Sequence, residues 1–154
     1  MNPIHEWRRG EHVISTDRAR IDLDVVHGFL TTSYWAKGIP RETVARSIEN
    51  SLCYGIYRGA RQVGFARVIS DCATFAYICD VFVIEGERGK GLSKWLMELI
   101  VSTPELQGLR RVALATRDAH GLYAQQGFKP FAAPDRWMER WNPEVYSTGK
   151  KSEC

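Results

Sequence analysis

Six residues, Arg88-Gly89-Lys90-Gly91-Leu92-Ser93, connect an apolar run, Tyr77 to Ile84, to an amphipathic stretch, Leu92 to Val101. A strand that turns through two glycines into a helix aims unpaired backbone N–H groups, and the positive end of the helix dipole, at one place in solution. The chemistry this suits is the holding of a phosphate. Two common phosphate loops do not fit. Gly86-x-x-x-x-Gly91 has the glycine spacing of a P-loop, but Leu92 stands where a P-loop needs its lysine, which argues against hydrolysis of a nucleoside triphosphate. A dinucleotide fingerprint would need a third glycine where Lys94 stands, and would lie in the first βα unit.

A second group lies downstream of another apolar strand, Val112 to Ala115: Gly121-Leu122-Tyr123-Ala124-Gln125-Gln126-Gly127-Phe128. Together, Arg-Gly-x-Gly after a strand and Leu-Tyr-x-x-x-Gly-Phe after the next resemble the pyrophosphate loop and closing signature of the GNAT superfamily of acyl-CoA-dependent N-acyltransferases. The chain looks like a small, single-domain member of bacterial type, the resemblance running over residues 13 to 140. The family pattern Gln/Arg-x-x-Gly-x-Gly/Ala falls on Gly86-Glu87-Arg88-Gly89-Lys90-Gly91, with Gly86 in place of the first side chain.

Moving an acetyl group from a thioester to an amine needs a neutral amine, a donor for the developing oxyanion and a proton for the leaving thiolate. The resemblance implies acetyl-CoA as cosubstrate. It implies that the segment Val81-Phe82-Val83 contacts pantetheine, the main chain of Val81 and Val83 polarising the thioester, and that N–H groups from Arg88, Gly89, Lys90, Gly91, Leu92 and Ser93 hold the pyrophosphate. Tyr123 matches the family tyrosine near the cofactor sulfur, an acid for the thiolate; packing with Leu122 and Phe128 is its other reading. His120 shares a helix face with Tyr123 and is left outside the site. The family's asparagine contact to pantetheine would fall near Thr116.

Asp80 is the one carboxylate in its apolar strand, where burial would raise its pKa toward that of a general base. A structural acceptor for loop N–H groups is the other reading, with water taking the amine's proton. Cys79 as a thiol nucleophile has no neighbouring histidine, and strand alternation would turn it away from Asp80. Tyr34 and Trp35, in the linker Thr31 to Ile39, border the acceptor side in the family and are substrate-pocket candidates; core packing or a homodimer contact would serve them equally. With Asp80 they suggest an aromatic-walled pocket for a cationic amine. The function expected is N-acetylation of a small molecule's primary amine by direct attack in a ternary complex. The alternatives are a non-catalytic acyl-CoA-binding sensor, or an acetyltransferase for protein N-termini or lysines.

Composition sets the bounds. The 154 residues are 44% hydrophobic and 25% charged, the profile of one ordinary domain with its core over residues 13–141 and a tail at 142–154. No apolar run reaches the length of a membrane span, and the N-terminus lacks a signal-peptide pattern, so a cytoplasmic protein without membrane partners is expected. The surplus of 21 basic over 18 acidic residues is too small to argue for nucleic acid. Arg88, Lys90 and Lys94 cluster at the loop, whereas Arg110-Arg111 reads better as solvated surface than as part of the same site. Cys53, Cys72, Cys79 and Cys154 show neither C-x-x-C spacing nor a Cys/His cluster, which argues against a metal site or a disulfide framework.

The elements that must position these residues follow from periodicity. A first strand is expected at Val13–Thr16, helices at Asp22–Leu30 and Arg41–Asn50, and a hairpin of Leu52–Tyr57 with Gln62–Ile69. Strand Phe75–Ile84, helix Gly89–Val101, strand Val112–Thr116 and helix Asp118–Gln126 follow, then closing strands at Phe128–Phe131 and Trp137–Trp141. The family resemblance assembles them as an α/β (α+β) GNAT fold: a mixed, mostly antiparallel sheet splayed between its fourth and fifth strands and flanked by about four helices.

Overall fold

A computed structural model describes residues 2–147. Six strands lie in one sheet in sequence order: β1 (Glu6–Arg9), β2 (His12–Ser15), β3 (Leu52–Arg58), β4 (Arg61–Ser70), β5 (Phe75–Val83) and β6 (Arg111–Leu114). The first five pair antiparallel, and β6 joins β5 in parallel. Four α-helices accompany them: α1 (Leu23–Leu30), α2 (Arg41–Glu49), α3 (Leu92–Ser102) and α4 (His120–Ala124).

The alternation of β3 and β4 divides the core into two layers. Tyr54, Ile56, Val63, Ala66 and Val68 face α3, which returns Leu92, Trp95, Leu96, Met97 and Ile100 from one helical face. Cys53, Phe65 and Phe82 face α1 and α2, which supply Val26, Leu30, Val44 and Ile48. Asp22 caps α1 by accepting from the N–H groups of Asp24 and Val25, and Pro40 precedes the first residue of α2. No helix among the described residues is long and apolar enough to cross a membrane.

Two expectations are corrected. The sheet begins earlier, because Glu6–Arg9 pairs with β2 although only Trp7 in it is apolar; Trp7 stacks on Tyr54 with ring centroids 6.4 Å apart, and that contact anchors the strand. The closing strands are not formed. Residues 128–147 contain a 3-10 turn at Pro134–Arg136 and no strand, and Pro130 and Pro134 each remove a donor a ladder would need. The tail at 142–154 falls partly outside the described residues; within them, Tyr146 packs on the α1–α2 cluster.

Candidate active site

The chain leaves β5 at Val83, makes a 3-10 turn at Glu85–Glu87 and enters α3 through Gly89 and Gly91. Both glycines have positive φ, +81° and +75°, where a side chain is strained, and nothing of the protein lies within 4 Å of where a Cβ would stand. Gly91 is the N-cap residue and has no side chain to satisfy the first turn of α3. The N–H groups of that turn therefore face open space with the helix dipole behind them, an arrangement that fits a pyrophosphate.

The loop's side chains are otherwise engaged. Arg88 donates through Nε to the Val83 carbonyl at 2.9 Å, and its own N–H goes to the Glu85 carbonyl at 3.2 Å, so that N–H faces the protein and not a phosphate. Lys90 Nζ donates to Glu87 Oε1 at 3.1 Å. Glu87 escaped the sequence reading, yet it is only 4% exposed and also accepts from His12 Nε2 at 2.9 Å and Arg58 Nη1 at 3.1 Å. One carboxylate thus ties the loop to β2 and β3. The bonds from His12 and Lys90 hold its pKa down at about 2. Because this lies below the ordinary 4.5, the ion cluster's stabilisation is complete above about pH 4.5 and is lost as pH falls toward 2. Urea unfolding between about pH 3 and 7 should therefore show Glu87→Gln less stable than wild type near neutrality, with the difference shrinking steadily on acidification. A difference independent of pH would remove the carboxylate from this role.

The sheet opens beside the loop. The β5–β6 ladder runs only from Phe75↔Arg111 to Ile78↔Leu114, while β5 continues to Val83. Ile84 donates to the Val63 carbonyl at 2.9 Å, so Phe82 and Ile84 bond toward β4 and, by alternation, Val81 and Val83 turn their main-chain groups to the side that β6 has left. Phe82, expected with them at the cofactor, is instead core: its ring stacks on Phe29 at 4.0 Å.

Asp80 sits at a β-bulge. Phe65 pairs with Phe82 and Arg67 with Cys79, so Ala66 opposes both Asp80 and Val81, and Asp80 takes φ +55°. The bulge breaks the alternation expected of Cys79 and Asp80: both border one cavity of about 350 Å³ in the opened sheet, together with Val81, Thr116 and Tyr123. Asp80 is not the lone carboxylate that its apolar strand suggests. Its Oδ2 accepts from Arg67 Nε and its Oδ1 from Trp35 Nε1, both at 2.9 Å, and Arg67 Nη1 reaches Ser51 Oγ at 3.0 Å. Arg67 is the second residue that sequence spacing did not reveal. It neutralises Asp80, and the pocket's other carboxylate, Asp118, lies 3.7 Å from Arg117, so each anion lining the aromatic pocket has a cationic partner.

Tyr34 and Trp35 roof this cavity. Their rings meet edge to face at 5.1 Å, and the Arg117 guanidinium lies 3.8 Å over Tyr34. The α1–α2 loop is thereby fastened at two points, to β5 through Asp80 and to the segment after β6 through Arg117. Tyr123, half-buried on α4, packs edge to face on Phe128 at 6.2 Å. Burial, and secondarily Tyr34, raise its pKa above that of an ordinary phenol, so it keeps its proton at neutral pH. Burial pushes the Cys79 thiol up to about 12, which leaves it a poor nucleophile. Thr116 Oγ1 accepts the Ala119 N–H at 3.0 Å at the entry to α4, and His120 opens that helix.

An uncapped helix beside a strand pair that parts around a tyrosine-bordered cavity is the architecture of an acyl-CoA-dependent transferase. The family described as Acetyltransferase (GNAT) domain matches residues 49–130, and the chain belongs to this family. A Gibberella zeae protein, FG08082, named provisionally as an acetyltransferase, is 30% identical over 81% of this chain and 83% of its own length. The crystal structure of a Xanthomonas campestris pv. campestris protein described as belonging to the GNAT family is 50% identical, covers 96% of this chain and 99% of its own, and superposes with a TM-score of 0.86. A Clostridium acetobutylicum protein described as a predicted acetyltransferase with acetyl-CoA shares 15% identity over 84% of this chain and 94% of its own, with a TM-score of 0.62, a likeness of fold alone.

Proposed function

We propose that this acetyltransferase moves the acetyl group of acetyl-CoA onto the primary amine of a small molecule by direct attack in a ternary complex. The observation that carries the reading is one cavity in the opened sheet bordered by Val81, Tyr123, Tyr34 and Trp35, from which β5 runs on through the glycine turn to the open N-terminus of α3. The N–H groups of Gly89 to Ser93 hold the pyrophosphate. The main chain of Val81 and Val83 takes the pantetheine amides, and an N–H there polarises the thioester carbonyl where negative charge develops. The amine attacks the acetyl carbon, the C–S bond breaks, and Tyr123 gives its proton to the leaving thiolate.

Asp80, engaged on both oxygens, fixes the roof, and the amine's proton passes to water. A roof fastened on two sides favours a compact acceptor over a protein chain. With Asp80 paired to Arg67 and Asp118 beside Arg117, aromatic walls and not a net negative charge select that acceptor, which favours an amine on an apolar or aromatic body. The family's chemistry does not by itself name the acceptor.

Acetyl-CoA should raise the melting temperature by mass action, and CoA stripped of its phosphates should do so much less. A screen of small amines and of short peptides, followed by release of free CoA, then names the acceptor. Absence of any stabilisation by millimolar acetyl-CoA would overturn the cofactor reading; turnover of peptides in preference to small amines would overturn the acceptor reading.

A further inference from the structure

Residues 31–40 join α1 to α2 without regular structure and carry the roof of the cavity. Tyr34 and Trp35 are exposed, whereas Ala36 and Ile39, just beyond them, are buried in the core layer of α1 and α2. Short bonds close the loop on itself: the Gly38 N–H donates to the Thr31 carbonyl at 2.8 Å and the Ile39 N–H to the Ala36 carbonyl at 3.0 Å. Toward the cavity, Asp80 holds the Trp35 indole, Arg117 covers Tyr34, and Trp35 leans on Phe29 with ring centroids 6.3 Å apart. Loops of this kind open locally at little cost unless packing restrains them from more than one side.

The second restraint comes from the other end of the described chain. Gly38 has φ +82°, and a Cβ there would stand 3.0 Å from the Tyr146 carbonyl oxygen and 3.7 Å from the Tyr146 Cβ, so the two segments are in direct contact. Glycine is required at 38 on both counts, its left-handed backbone and the carbonyl against it. The Tyr146 side chain packs on the same core layer that buries Ala36 and Ile39. A tight turn presents it: the Val145 N–H donates to the Asn142 carbonyl at 3.3 Å, and Ser147 bonds Glu144 twice, N–H to carbonyl at 2.9 Å and Oγ to Oε1 at 2.7 Å. The segment is braced earlier as well, where Trp137 stacks on Phe131 at 4.2 Å beneath the Arg111 guanidinium. Neither Gly38 nor Tyr146 lines the cavity, so their contact acts on the roof from outside it.

We propose that Tyr146 is a positioning residue for the acceptor amine. Seated against Gly38, it holds residues 31–40 from outside the cavity and thereby keeps the Tyr34 and Trp35 rings over the place where the amine binds. This role rests on the cavity being the acceptor site. It makes the segment after α4 part of what sets acceptor affinity, although that segment supplies no atom to the reaction.

Hydrogen exchange tests the anchor without acetyl-CoA or an amine. In Tyr146→Ala the Gly38 and Ile39 amides should exchange faster than in wild type, while those of β3 and β4 keep their protection. Tyr146→Phe, which keeps the ring, should restore the wild-type pattern. Steady-state kinetics with phenethylamine as probe then reads the consequence: its KM should rise about tenfold in Tyr146→Ala, with kcat and the KM for acetyl-CoA little changed. Gly38→Ala should act in the same direction, and the double variant should be less than additive because both changes unseat one contact. Unchanged exchange at Gly38 and Ile39 in Tyr146→Ala overturns the proposal, as does equal loss of protection in β3 and β4, or an equal rise in both KM values. A wild type that is stabilised by acetyl-CoA yet leaves phenethylamine untouched overturns the acceptor reading, and the exchange result still decides whether Tyr146 holds the roof.

Discussion

Acetyl-CoA affinity should fall by at least ~10²-fold when Gly91, or separately Gly89, is replaced by valine, because two or more N–H bonds to a charged phosphate are lost at about 1.5–3 kcal/mol each. Both positions have φ near the left-handed region, which a β-branched side chain adopts only under strain, and the space outside each is open. The added Cβ therefore meets no protein atom within 4 Å. It occupies the place where a phosphate would approach the backbone, and the backbone is pressed to move as well. Strain of about 1–2 kcal/mol should lower the melting temperature of the free protein by only a few degrees. Calorimetric titration of acetyl-CoA beside thermal unfolding of the apo-protein separates the two effects. Arg88→Ala should be milder, since its guanidinium braces the Val83 carbonyl and its N–H already donates to Glu85. Wild-type affinity in both glycine variants would move the pyrophosphate site away from this loop.

How much of this was legible in the sequence differs by element. The turn into α3 was, because glycine at both positive-φ positions has a local cause that spacing displays. Helices α1 and α2 and the β3–β4 hairpin were, because their apolar period follows the face they bury. β1 was not, since one tryptophan among charged residues leaves no alternation to detect and a tertiary stack on Tyr54 holds it. The strands expected at Phe128–Phe131 and Trp137–Trp141 had a suitable apolar content, but a strand needs an edge to pair with, and composition cannot say whether the chain's path brings one within reach. The site was legible in its backbone and less so in its charges. Asp80 was visible as a carboxylate in an apolar strand, yet its partners lie 13 residues before it at Arg67 and 45 before it at Trp35. Glu87 likewise draws its cations from His12, Arg58 and Lys90, and only the sheet's register places the first two beside it.

Tyr123→Phe tests the chemical step itself. The substitution deletes one oxygen and keeps the ring that packs on Phe128, so melting temperature and acetyl-CoA affinity should change little. Turnover with a small amine should fall by about 10²-fold, the usual contribution of one positioned acid. The direction of the Tyr123 pKa supports the assignment: burial raises it, so at neutral pH the phenol still holds the proton that a thiolate needs. Two refinements separate acid catalysis from a packing effect. With an acyl thioester of a less basic thiol the loss should shrink, because a better leaving group departs without the proton. The alkaline limb of the pH–rate profile should also disappear in the phenylalanine variant, since the wild-type limb reports loss of the phenol's proton in the complex. Unchanged turnover in Tyr123→Phe, measured where chemistry limits the rate, would return the ring to a packing role and leave water as the donor to the thiolate.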